Sequence, residues 1–99
     1  MFSINQKTPS ELTREVAQRV KTRRKEMKLT QMQVAERAGM SLASYRRFEQ
    51  KGLVAFHSLA AIAIALDCED DFDSLFARKA YASIDEVIAA TRAQRKARK

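Results

Sequence analysis

The sequence predicts an all-α fold, a five-helix domain followed by a C-terminal helix and a basic tail. Three observations carry that prediction. The Ser/Thr-x-x-Glu/Gln signature of a capping box occurs at Thr8–Glu11, Thr30–Gln33 and Ser83–Glu86, each time ahead of an apolar run. Apolar residues recur mostly at three- and four-residue spacings, the period of a helix face. Two Gly and one Pro in 99 residues, with 45% hydrophobic and 31% charged side chains, match a folded helical chain rather than a disordered or linker-rich one.

The first helix begins with Thr8 as N-cap and Pro9 at the first helical position, where its missing N–H costs nothing. Leu12, Val16 and Val20 follow at four-residue steps and Met27 prolongs the stripe. With no Gly or Pro before Leu29, the pattern predicts one long amphipathic helix. Thr30 and Gln33 open a two-turn second helix with Val34, Ala35 and Ala38 inward, and Gly39 stands where a left-handed C′ residue is needed. Ser41 caps a third helix through Gln50, with Tyr45 and Phe48 facing the core and Gly52 just past its end. From Ser58 to Leu66 the run SLAAIAIAL is apolar nearly all round. The alternation from Ile62 to Ala65 permits a strand, but the weight of Ala favours a buried fourth helix. Asp70 or Asp71 caps a fifth segment, DFDSLF, with Phe72, Leu75 and Phe76 at i, i+3 and i+4. The third capping box predicts a last helix from Ile84 into the low 90s. No repeat of 20 to 50 residues is present. The chain therefore divides into an N-terminal arm (1–8), a helical domain (9–77) and a C-terminal helical extension with a basic tail (78–99).

Composition excludes several functions. Cys68 is the lone cysteine and His57 the lone histidine, so neither a disulfide framework nor a Cys/His zinc site can form within the chain. No catalytic role is expected of the lone His57, and no cofactor is expected. The acidic cluster Asp67, Glu69, Asp70, Asp71 and Asp73 lacks the Gly and the distal Glu of a calcium loop, and helix capping accounts for it better. No apolar run approaches a membrane span and the first residues lack a signal-peptide core, so a reduced, cytoplasmic setting is expected.

Charge is distributed in blocks. The net charge is +7 with a pI near 10.0. Residues 1–66 carry twelve basic and five acidic side chains, residues 67–91 two and seven, and residues 92–99 five and none. A basic body and a basic tail suit a polyanion, because Lys and Arg release counterions from phosphates. The tail admits two readings, an arm that tracks phosphates or enters a minor groove and a merely solvated end.

The second and third helices, joined by Ala38-Gly39-Met40-Ser41, have the proportions of a helix-turn-helix, whose second helix enters a DNA major groove. A generic helical hairpin shares that much. Arg46 and Arg47 beside the apolar pair Tyr45/Phe48, with small polar Ser41 and Ser44 at the helix start, add a surface suited to base edges and phosphates. The stretch LTQMQVAERAGMSLASYRRFEQKG resembles the helix-turn-helix of the phage-repressor-like (Cro/C1, XRE) regulators, and the resemblance covers roughly residues 12–67. Leu29, Thr30, Gln31, Val34, Ala35, Gly39, Met40, Ser41, Tyr45, Glu49 and Gly52 carry it. Two positions depart from the family pattern. Tyr45 replaces an aliphatic residue, and Gln50-Lys51 sets Gly52 one place late, which should alter packing and not fold.

The resemblance implies a lambda-repressor-like five-helix domain and a set of roles. Gln31 would bond a phosphate or a neighbouring side chain. Leu42, Ala43 and Arg47 would face base edges, while Ser41, Ser44, Arg46 and Lys51 would lie nearer the backbone. Arg24 would pair with Glu49 as a structural ion pair. Together these imply a sequence-specific DNA-binding transcriptional regulator, a repressor that inserts helix 41–50 into the major groove as a homodimer on double-stranded operator DNA. Half-sites would lie about 34 Å apart, or a multiple of that. Phe72, Phe76, Tyr81 and Val87 are the candidate dimer surface. The C-terminal segment YASIDEVIAATRAQRKARK is in turn similar to extensions of HipB-type antitoxins. That implies an alternative: binding of a kinase-like, HipA-type toxin at the acidic residues 67–73 and the outer side of the last helix, with autoregulation of the operon.

Overall fold

Capping chemistry sets the first two helices. In a computed structural model, which describes residues 6–78 and 88–92, all regular structure among the described residues is helical. Helix α1 spans Pro9–Glu26; Thr8 Oγ1 accepts from Glu11 N at 3.1 Å and the Glu11 carboxylate accepts from Thr8 N. Helix α2 spans Gln31–Ala38 with the same reciprocal box, Gln33 N donating to Thr30 Oγ1 and Thr30 N to Gln33 Oε1.

Helix α1 ends before the expected Leu29. Lys28 takes a left-handed conformation, φ 58°, and turns the chain so that Leu29 N donates back to Arg24 O at 3.1 Å. The core-facing stripe also differs from the one expected. Leu12 is 51% exposed, Val16 and Val20 are half-buried, and Ala17 and Arg24 are the buried positions. The close approach of α3 (Leu42–Lys51) is the reason a small residue takes this contact. Gly52, at φ 72°, sits so near α1 that a Cβ there would lie 2.8 Å from the Thr13 carbonyl carbon.

Between α2 and α3 the chain reverses through Gly39, left-handed at φ 68°, and Met40 N donates to Ala35 O at 2.9 Å. Ser41 then caps α3 by accepting from Ser44 N. Tyr45 and Phe48 point inward, their rings edge to face with centroids 6.2 Å apart. They join Val34, Ile62 and Leu66 as the largest fully buried side chains, each stabilising the fold by about 1.5–3 kcal/mol through lost apolar exposure.

Helix α4 spans Phe56–Ala65, starting two residues before the expected Ser58 with Ala55 at the N-cap and no side-chain cap. Its composition predicts burial all round, and the helix is buried on one side only. Ile62 and Ala63 are buried against the core, but Phe56 and Ile64 remain 64% and 63% exposed on the outer face.

The fifth segment is a 3-10 helix, Glu69–Ser74, rather than an α-helix. No side chain caps it; the expected Asp70 and Asp71 lie inside its first turn. Phe72 packs on Phe56, with ring centroids 5.6 Å apart, whereas Phe76 turns outward at 96% exposure with φ 58°. Residues 88–92 are helical. The third capping box, Tyr81, Val87 and residues 93–99 lie outside the described residues. No helix among the described residues is long and apolar enough to cross a membrane.

Candidate nucleic-acid interface

Helix α3 is two-sided. Tyr45 and Phe48 are buried, and the opposite face, Ala43, Arg46, Arg47 and Gln50 at i, i+3, i+4 and i+7, is exposed. Gln50 is the residue that reasoning from sequence missed, although its spacing from Ala43 places it on the same face. Of the other anticipated site residues, Ser41, Ser44 and Lys51 are exposed while Gln31 and Leu42 are half-buried. Ser41 and Ser44 spend their hydroxyls on each other, Oγ to Oγ 2.9 Å, at the start of the helix. Arg47 lines a notch of about 490 Å³ with Ser41, Ser44, Leu53, Val54 and Ser58, which joins the start of α3 to the approach to α4. No sequence signal marked Leu53, Val54 and Ser58 as neighbours of Arg47.

Behind this face lies a buried polar cluster. Arg24 Nε donates to Glu49 Oε2 at 2.7 Å and Arg24 NH2 to Glu49 Oε1 at 3.2 Å, a two-pronged contact between side chains 10% and 3% exposed. Arg24 NH1 donates to Leu29 O at 2.9 Å, the carbonyl that the Lys28 turn delivers. The Tyr45 hydroxyl donates to Glu49 Oε2, and Gln31 Nε2 to Glu49 Oε1 at 3.0 Å. The Gln31 amide oxygen in turn accepts from Arg46 Nε at 3.2 Å. Sequence reasoning assigned Tyr45 to packing alone. Its hydroxyl role was open to inference, since a buried Tyr needs an acceptor and Glu49 stands one helical turn on.

The ionisation of the cluster follows from these contacts. Burial pushes the Glu49 carboxyl upward, but hydrogen bonds from Arg24, Tyr45 and Gln31, with the Arg24 charge, outweigh it and hold Glu49 below its ordinary range. The Glu49 hydrogen bond raises Arg24 against its own desolvation. Burial, reinforced by Glu49, raises Tyr45, so its hydroxyl stays protonated and remains a donor at neutral pH. The cluster is therefore a saturated carboxylate that ties α1, α2 and α3 together directly behind the exposed arginines.

Among the described residues no group of three or more His, Cys, Asp and Glu could hold a metal ion. The geometry presents a fixed helix with cations outward, which suits a polyanion with structured edges. A family model described as helix-turn-helix matches residues 20–72. No curated protein matches the chain.

Proposed function

This chain belongs to the helix-turn-helix family of XRE-type, Cro/C1-like regulators and is a DNA-binding transcriptional regulator; we propose that it is a sequence-specific repressor that seats α3 in the major groove as half of a homodimer. The observation that carries this reading is the division of α3 between a buried Tyr45/Phe48 face and an exposed Ala43/Arg46/Arg47/Gln50 face. Arg47 is the base reader, bidentate to a guanine, with Ala43 and Leu42 against thymine methyls. Ser41, Ser44 and Lys51 sit near the strand backbone and set the register. Residues 31–38 brace α3, as the first helix of such a pair does by crossing the backbone.

Fluorescence anisotropy with DNA from upstream of the chain's own gene and with a scrambled duplex, at several salt concentrations, tests the proposal. A preference of about a thousandfold for one duplex is expected. Arg47→Ala should reduce that preference by about 1–3 kcal/mol, at one base pair. Equal binding to both duplexes, with a steep salt dependence, would leave only general charge attraction and defeat the repressor reading.

A second reading draws on the exposed acids Glu69, Asp70, Asp71 and Asp73, which DNA would repel. In that reading they form the docking face for a kinase-like toxin, and DNA binding serves autoregulation. Co-purification with the product of a neighbouring kinase-like reading frame, lost on reversing those four charges, separates it from the first.

A further inference from the structure

We propose that Gln31 is a positioning residue for DNA contact. Its amide, turned by the buried Glu49 carboxylate, anchors Arg46 through Nε so that the far edge of the guanidinium meets a DNA phosphate. This rests on the reading of α3 as the DNA-facing helix and adds to it a specific chain of orientation.

Each link follows from donor and acceptor chemistry. An ionised carboxylate only accepts, so Gln31 must turn its NH2 toward Glu49 Oε1, 3.0 Å away. Its carbonyl oxygen then points the other way and can only accept, and Arg46 Nε supplies the proton at 3.2 Å. Glu49 is itself held by Arg24 and Tyr45, so the amide cannot flip without breaking a bond to a buried group. A guanidinium has five N–H donors in a rigid fork. With Nε engaged, its terminal NH1/NH2 edge, which meets no acceptor among the described residues, is left as a flat pair of donors. That pair matches two oxygens of one phosphate. An exposed Arg otherwise loses considerable side-chain freedom on binding, and an anchor made before DNA arrives lowers that cost. The phosphate contact thus passes from Gln31 itself to the arginine that it holds.

The test is a double-mutant cycle in the full chain, Gln31→Met, Arg46→Ala and both, read by anisotropy on the upstream and scrambled duplexes. Gln31→Met should weaken binding by about three- to tenfold, the value of one ordinary net hydrogen bond. The loss should be equal on both duplexes and should vanish when Arg46 is already Ala. Arg46→Ala should lower the salt slope by about 0.9, one phosphate contact. The Arg46 Nε–H signal in nitrogen-edited NMR of the free chain should be protected from exchange, and Gln31→Met should remove that protection. An unprotected signal in the parent chain overturns the proposal without recourse to any variant. So does a Gln31→Met loss that persists beside Arg46→Ala, because Gln31 would then act on its own. A loss confined to one base pair makes the acceptor a guanine and overturns the phosphate assignment. If the parent chain binds neither duplex, the repressor reading falls together with this one; if the parent binds and Gln31→Met binds equally well, only this one falls.

Discussion

Glu49 accepts from Arg24, Tyr45 and Gln31 through both its oxygens, and this makes it the residue on which three helices depend. Replacing it by Gln removes the negative charge but leaves the Arg24 guanidinium buried, and an unpaired buried charge is far costlier than the pair was worth. Glu49→Gln should destabilise the chain by about 3–5 kcal/mol in urea unfolding at pH 7. The same bonds set an acid limit. Glu49 titrates below its ordinary 4.5 when folded, so the unfolded chain binds the extra proton first. Its contribution is complete above about that value and is lost as the pH falls through the folded-state one. Glu49→Gln should flatten that limb, and an unchanged acid profile would count against the cluster's role. At this scale the Arg24–Glu49 contact was open to reading only through the family resemblance, since no local period links residues 25 apart in sequence. The resemblance implied that Gln31 bonds a phosphate or a neighbouring side chain, but not that the neighbour is Arg46, because that bond depends on the crossing of two helices.

Helix ends show what the elements disclosed and concealed. Five described residues have positive φ: Lys28, Gly39, Gly52, Asp67 and Phe76, one just beyond each of α1, α2, α3, α4 and the 3-10 segment. Glycine marked the exits of α2 and α3, and both were legible for that reason. The exits of α1 and α4 are made by Lys28 and Asp67, side chains that carry no such signal, so the reading ran α1 toward Leu29. The capping boxes, by contrast, placed both N-termini because hydroxyl and acid or amide must sit three residues apart. A left-handed turn costs a non-glycine residue roughly 1–2 kcal/mol, part of which glycine gives back through its freer unfolded chain. Lys28→Gly should therefore stabilise the chain by up to about 1 kcal/mol, measured as a higher urea midpoint with unchanged slope. Destabilisation would mean that the Lys28 side chain holds the turn that presents Leu29 O to Arg24.

Across the whole molecule, charge constrains how copies can meet. With a net charge of +7, two copies repel at long range, and an apolar patch supplies attraction that acts only at contact. Phe76 offers one: an aromatic ring 96% exposed, on a backbone at φ 58° that an L-residue adopts at a cost. In an isolated copy that residue is unfavourable twice over, as exposed apolar surface and as strained backbone. In a two-fold dimer each ring would be buried by the partner, and the symmetry makes every substitution count twice. Phe76→Gly should thus act with opposite signs on the two equilibria. Unfolding of the dilute chain should be unchanged or harder, because the strain is relieved and no core contact is lost. Self-association, followed by sedimentation equilibrium, should weaken by at least about 1.5–3 kcal/mol, the value of one buried Phe, and by more if both copies' rings contribute fully. Binding to a duplex carrying two half-sites should lose its cooperativity in step. If the variant associates as the parent does, Phe76 lies off the interface; if the parent sediments as a monomer with and without DNA, the two-fold reading itself is lost and a single α3 must account for whatever specificity is measured.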